Sequence, residues 1–390
     1  MKFEFVKKLD NSNIANTYAR FDVAIEKGNG SLLYDTDGNE YIDFTSGIGV
    51  NSFGACDKKW QSAVIRQVKT LSHISNLYYT LPQTKLAKMI CEKVEMDKVF
   101  FANSGAEANE GAIKCARKYS FDKYGDKRFE IITLVNSFHG RTIATLTATG
   151  QDSFHKYFGP FLDGFKYAKP NDTEDLKKQL SKKTCAIMIE LVQGEGGVVP
   201  LDTKYIKEIA EICEKNDILL IVDEVQTGNG RTGYLYSYMA YGIKPDIVTT
   251  AKGLAGGLPF GAVIIGEKCK NTFDYGAHGS TFGGNPIAAA GALSIFSRLD
   301  ENFLKEVKEK EKIIYSVLGD CKNVKDITGM GLMIGIELKK KDAKEVLKEC
   351  INKRLLVLTA KEKIRLLPPL NIDRKTLEIG LNILKEVIDK

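Results

Sequence analysis

The stretch Ile218-Leu219-Leu220-Ile221-Val222-Asp223-Glu224-Val225-Gln226 decides how the rest of the chain is read. An apolar run rich in β-branched residues leads straight into an acid. A second run, Asp246-Ile247-Val248-Thr249-Thr250, ends in Ala251-Lys252 and then in Gly253-Leu254-Ala255-Gly256-Gly257. Short apolar runs bounded by turn residues read as buried strands of a parallel sheet, and the carboxyl ends of such strands collect ligands. An acid at one strand end and a lysine at the next fit a cofactor with an aromatic nitrogen, held by both. Taken alone, the same two residues read as a surface salt bridge.

Working outward, strand and helix patterns alternate from about residue 98. The candidate strands are Lys98–Ala102, Glu130–Val135, Phe165–Ala168, Cys185–Val192, Ile218–Val225, Asp246–Thr250 and Phe260–Gly266. Helices fall between them, including Ala106–Tyr119 and Tyr205–Lys215; in the second, Ile206, Ile209, Ala210 and Cys213 recur at helical spacing. This is a doubly wound α/β domain with about seven strands. Before it, residues 1–46 read as an extended arm followed by a small antiparallel meander, punctuated by Gly28-Asn29-Gly30 and Asp35-Thr36-Asp37-Gly38. Beyond Gly283-Gly284-Asn285-Pro286 the helices Ile287–Phe296 and Lys341–Lys353, the strands Leu332–Leu338, Leu355–Thr359 and Ile364–Leu367, and a terminal helix Arg374–Lys390 read as a smaller α+β domain. The division expected is 1–46 with the small domain, 47–285 as the large domain and 286–390 as the small one.

The turns after the strands carry the chemistry. Asn103-Ser104-Gly105-Ala106 passes from a strand into a helix, and a capped helix start with free N–H groups is either a phosphate seat or an ordinary helix end. In Ser137-Phe138-His139-Gly140-Arg141, Phe138 could stack on a planar ring or belong to the core. Arg141 has the planar fork that suits a carboxylate, and His139 reads as an ordinary hydrogen-bonded histidine. Glu195, between Gly194 and Gly196-Gly197, is either solvated or paired with a substrate-binding arginine. Asp223 could hold a pyridinium nitrogen protonated, and Lys252 could bond an aldehyde and shuttle a proton. Ser280 and Thr281, in His278-Gly279-Ser280-Thr281-Phe282, offer hydroxyl donors or make up a flexible loop. Together the motifs ask for one ligand with a phosphate, a flat ring, a ring nitrogen and an aldehyde: pyridoxal 5′-phosphate.

Bulk composition excludes other classes. The 390 residues are 43% hydrophobic and 27% charged, as in soluble globular proteins. A net charge of +6 is small beside 56 basic and 50 acidic residues, and lysines alternate with acids in 305–312, so no nucleic-acid partner is expected. No apolar run is long enough for a membrane span, the start is too charged for a signal peptide, and the eight scattered cysteines suit a cytoplasmic protein with reduced thiols. The four histidines show no metal-ligand spacing, so no metal site is expected.

On these motifs, with Tyr18-Ala19-Arg20, Ser75–Tyr79, Ser137–Gly150, Gly331–Glu337 and Arg365–Leu370, the chain resembles the class III pyridoxal-phosphate aminotransferases of fold type I along almost its whole length. The resemblance implies a seven-stranded, mainly parallel sheet in a large domain and a smaller α+β domain. It assigns the Schiff-base lysine to Lys252, the ring-nitrogen partner to Asp223, and the ring hydroxyl contact to Gln226, with Val225 packed on the ring. Ser104, Gly105 and Ala106 match the phosphate cradle, and Phe138 the stacking aromatic. Thr281 would reach the phosphate of the neighbouring subunit of a homodimer with shared sites, with Ser280 touching substrate. Arg141 would grip the substrate α-carboxylate, Arg365 would take the second carboxylate when glutamate binds, and Glu195 would mask Arg365 otherwise. The reaction implied interconverts N2-acetylornithine plus 2-oxoglutarate and N-acetylglutamate 5-semialdehyde plus glutamate. Succinylated substrates, free ornithine, 4-aminobutyrate and an aminomutase reaction are the alternatives. Ile48 stands where ornithine aminotransferases carry a substrate-contacting tyrosine, which favours the acylated substrate.

Overall fold

A computed structural model describes residues 2–390. Its centre is a seven-stranded sheet in the order Lys98–Ala102, Gly261–Ile265, Ile247–Thr250, Leu219–Asp223, Thr184–Ile189, Glu130–Leu134, Phe165–Ala168. Only Gly261–Ile265 runs antiparallel to its neighbours. The Leu219–Asp223 strand is buried along its whole length, which its unbroken apolar run required. Helix packing covers both faces, with Leu220 and Val222 in one apolar cluster and Leu219 and Ile221 in another.

All seven expected strands are present. The expected strand Cys185–Val192 divides, however, into Thr184–Ile189 in the sheet and Val192–Gln193, which pairs with Val199–Pro200 in a separate hairpin. Residues 1–46 also differ from expectation. Phe3–Asn13 is a helix, and its Phe3 and Val6 line one pocket with Tyr18 and Phe21 of the following arm. The meander has three strands, Ile25–Asn29, Leu32–Asp35 and Glu40–Asp43, and Leu355–Leu356 adds to it in parallel.

The second antiparallel sheet is Val324–Met330, Met333–Leu338, Lys363–Leu366, Leu358–Ala360. The expected strand Leu355–Thr359 is thus two short strands in different sheets. This region buries its own core, in which Val307, Ile314, Ile334, Ile336, Leu377 and Leu381 meet. The expected boundary at residue 286 falls inside the larger core. Helix Pro286–Phe296, capped by Asn285 with proline at its first turn, buries Ala288, Ala289, Ala292 and Ile295 with the sheet helices. The second core takes Ile42 and Phe44 from the meander and, past residue 300, draws first on helix Glu301–Gly319. Among the described residues no helix is long and apolar enough to cross a membrane.

Candidate active site

The carboxyl ends of the parallel strands open into a cavity of about 450 Å³. Its walls include Ser104, Gly105, Ala106, Phe138, Arg141, Asp223, Val225, Gln226 and Lys252, which are nine of the thirteen residues expected from sequence.

Asp223 ends its strand with 4% exposure, and both of its carboxylate oxygens are hydrogen-bonded. Oδ2 accepts from Asn109 Nδ2 at 2.7 Å and meets His139 Nδ1 at 2.8 Å, while Oδ1 accepts from the Val225 N–H at 3.0 Å. A buried carboxylate held by three hydrogen bonds keeps one orientation at the cavity wall. The salt-bridge reading therefore gives way: the side-chain partners of Asp223 are Asn109 and His139, not Lys252. His139 is hydrogen-bonded, as expected, but its partner makes it part of the site. Glu190 directly follows the next strand and also lines the cavity. It accepts from the Phe138 N–H at 2.9 Å, and burial pushes its carboxyl up, with Asp223 adding to the shift.

Lys252 starts a one-turn helix with φ +40°, a left-handed conformation uncommon outside glycine and concentrated at functional sites. Its loop is pinned from outside. Ser52 Oγ donates to Gly253 O at 3.1 Å, and Trp60 Nε1 donates to Ala255 O at 2.8 Å. Burial pulls the Lys252 amine below the ordinary lysine range; Glu195 opposes that shift and Arg365 adds to it.

Helix Gly105–Tyr124 points its N-terminus at the cavity. Ser104 Oγ caps it by accepting from the Glu107 N–H at 3.1 Å, and Glu107 reaches back to the Asn103 N–H at 2.8 Å. The N–H groups of Gly105 and Ala106 therefore remain open to an anion. A side chain at Gly105 would stand 2.6 Å from Val225 Cγ1, so only glycine fits there. Phe138 is half-buried on the wall, and the Arg141 guanidinium lies 5.5 Å from its ring and 4.1 Å from that of Phe154.

Beside the cavity lies an ion pair. Arg365 Nη1 donates to Glu195 Oε1 at 2.6 Å, with Arg365 only 3% exposed. Gln226 joins both, accepting from Arg365 at 3.3 Å and donating to Glu195 at 3.4 Å. Burial opposes the charge on Glu195, but the Arg365 guanidinium outweighs it and holds the carboxyl below its ordinary range. The other two expected residues sit elsewhere. Ser280 Oγ meets Asn103 Nδ2 at 3.1 Å at the rim, and Thr281 is exposed outside the cavity. Asn109, His139 and Glu190 had no assigned role. Asn109 lies one helical turn beyond Gly105, His139 lies in the loop after the Glu130–Leu134 strand, and Glu190 directly follows the Thr184–Ile189 strand, which is the available sequence signal.

The arrangement offers an open helix end, an aromatic wall, a fixed carboxylate, a depressed amine and two arginines, one of them masked. Residues 13–388 match the family described as aminotransferase class-III. The acetylornithine aminotransferase of Haemophilus ducreyi is 51% identical, with 100% of both chains covered. An ornithine aminotransferase of Toxoplasma gondii, crystallised with oxidised glutathione and carrying PLP at partial occupancy at its active site, superposes with a TM-score of 0.94 at 30% identity, over 99% of this chain and 94% of that one. The N-acetylornithine aminotransferase of Stenotrophomonas maltophilia superposes at 0.84 with 33% identity, over 98% of each chain.

Proposed function

The chain belongs to the class-III aminotransferase family, and from that premise we propose that it exchanges an amino group between N2-acetylornithine and 2-oxoglutarate. The products are N-acetylglutamate 5-semialdehyde and glutamate, and the reaction serves arginine synthesis. The observation that carries the substrate choice is the 2.6 Å Glu195–Arg365 pair beside the cavity that holds Arg141 and Lys252.

Pyridoxal 5′-phosphate is the cofactor we assign, and the residues fit it. The open N–H groups of Gly105 and Ala106 suit its phosphate, and Asp223 suits its ring nitrogen. Phe138 and Val225 suit the two faces of the ring, and Lys252 suits its aldehyde. Gln226, assigned to the ring hydroxyl, also braces the gate. Bound there, the cofactor supplies an electron sink for the pair left when a proton leaves the amine-bearing carbon. Lys252, with its amine depressed by burial, is the group that takes and returns that proton. Asn109 and His139 keep Asp223 oriented, as supporting hydrogen bonds do in other preorganised sites.

One pocket must accept two unlike substrates. Acetylornithine presents one carboxylate, which we assign to Arg141. Glutamate presents two, and the second requires Arg365. While Glu195 covers Arg365, the buried cation is neutralised and the acylated chain meets no bare charge. When glutamate arrives, Glu195 must move. Free ornithine is the reading favoured by the 0.94 TM-score, but at 30% identity that likeness reports the shared scaffold. Ile48, 45% exposed and two residues from the cavity-lining Val50, favours the acylated amine.

We further assign a homodimer in the cytoplasm. Leu77, Tyr78, Tyr79 and Phe282 are 86%, 65%, 100% and 60% exposed near the Ser280–Thr281 loop, an apolar surface suited to a partner copy. The eight free thiols suit a reducing compartment. The test of the reaction is a half-reaction panel on the aldehyde form of the enzyme, followed by cofactor absorbance. Conversion by both acetylornithine and glutamate is expected. Fast conversion by ornithine with none by acetylornithine would overturn the substrate assignment.

A further inference from the structure

The loop that carries Glu195 is closed by its own hairpin and held in addition by the second sheet. Val198, three residues beyond Glu195, has φ +53° and is completely buried. A β-branched residue in the left-handed region is strained and persists only where its surroundings impose it. Three aligned residues of the second sheet face this loop. Thr328 pairs with Gly335, and Gly335 with Arg365, so they form one row across three strands. Arg365 holds Glu195 at 2.6 Å. Gly335 gives the loop room, since a Cβ there would stand 2.8 Å from Val198 Cβ and 3.2 Å from Gly197 O. Thr328 Oγ1 donates to Val198 O at 2.7 Å and accepts from Lys363 Nζ at 2.9 Å. Lys363 lies two residues before Arg365 on the same strand, hence on the same face.

We propose that Thr328, aimed by Lys363, is a positioning residue for the gate: it clamps the Val198 turn and so biases Glu195 toward Arg365. The inference rests on the gate reading given above. Opening the gate for a dicarboxylate then requires the turn to work against this clamp. Loosening it favours glutamate over acetylornithine without touching substrate, cofactor or Lys252. A residue needed only for folding would lower both half-reactions together.

The test uses the holoenzyme with Thr328→Val, which keeps the shape and removes the hydroxyl, and Thr328→Ser, which restores the hydroxyl. In Thr328→Val the ratio of specificity constants, glutamate over acetylornithine, should rise about 3- to 10-fold, the factor one net hydrogen bond carries. Thr328→Ser should stay near wild type. Deuterium uptake by peptides covering 194–200 should rise in Thr328→Val and not in Thr328→Ser, with or without cofactor. Gly335→Ala, which pushes the same turn from the sheet, should move the ratio the same way and serves if Thr328→Val folds poorly. A ratio within about twofold of wild type in the folded variants, or a fall, overturns the proposal whatever the exchange shows. If wild-type enzyme fails to convert with acetylornithine or with glutamate, the functional reading itself fails. The exchange experiment then decides the clamp alone: unchanged uptake at 194–200 overturns it.

Discussion

The floor of the cavity and its gate are built differently. At the floor, Asp223, His139, Asn109 and Lys252 stand on or beside elements of one core, and Asp223 spends its oxygens on three short hydrogen bonds. At the gate, Glu195 comes from a hairpin off the first sheet and Arg365 from a strand of the second. Val192 and Val198 of that hairpin are buried with Met333, Ala360 and Leu367 of the second region. Chemistry that both substrates share sits where nothing needs to move. Discrimination between them sits on a seam between two cores, where small relative motion can change which charge is exposed.

The difference predicts symmetric losses at the floor and asymmetric ones at the gate. The largest effect belongs to Lys252→Ala. Both half-reactions should fall by at least about 10⁴-fold, the upper range for a positioned acid–base group, with no second turnover in a burst experiment. Multiple turnovers by the purified variant would remove Lys252 from its role. Next comes Asp223→Asn, which keeps the shape but removes the charge. Single-turnover rates with both amines should fall by roughly 10²–10³, the loss seen when one preorganised electrostatic partner is deleted. A loss confined to one substrate would erase the contrast between floor and gate.

Glu195→Gln should be smaller and lopsided. With Arg365 left uncovered, KM for acetylornithine should rise about tenfold, equivalent to roughly 1.4 kcal/mol, while KM for glutamate stays level or falls. Equal changes for both substrates would show that the pair is merely structural. The smallest effect is on stability. The Glu195 carboxyl lies below its ordinary range in the fold, so its contribution is present above the unfolded glutamate pKa of about 4.3. That contribution is lost as pH falls through the lower folded value. The melting-temperature gap between wild type and Glu195→Gln should therefore be constant from neutral pH to about pH 5 and close below about pH 4. A gap that closed near neutral pH would assign the pairing to another group.

Sequence made the floor legible because its parts are local. The strand ends at Asp223 and Lys252, the cap at Ser104 and the turn at Phe138 each announce themselves within a few residues. The strands Lys98–Ala102 and Phe165–Ala168 fall on their expected residues for the same reason. What escaped depends on distant partners. His139 and Asn109 reach Asp223 across 84 and 114 positions, and Thr328 reaches Val198 across 130. No spacing rule encodes such contacts. The Val324–Met330 strand was hidden because Asp326 and Gly329 interrupt its alternation, and those residues are poor strand formers. The Phe3–Asn13 helix was hidden because it buries no residue on a core.

The account turns on one pair changing state while the floor stays still. The direct measurement is the structure of the cofactor-loaded enzyme with acetylornithine and, separately, with glutamate or an unreactive dicarboxylate analogue. The 2.6 Å Glu195–Arg365 contact should persist with acetylornithine and break with the dicarboxylate, the freed guanidinium taking its second carboxylate, while the Asp223 hydrogen bonds stay unchanged. An intact Glu195–Arg365 pair in both complexes would contradict it.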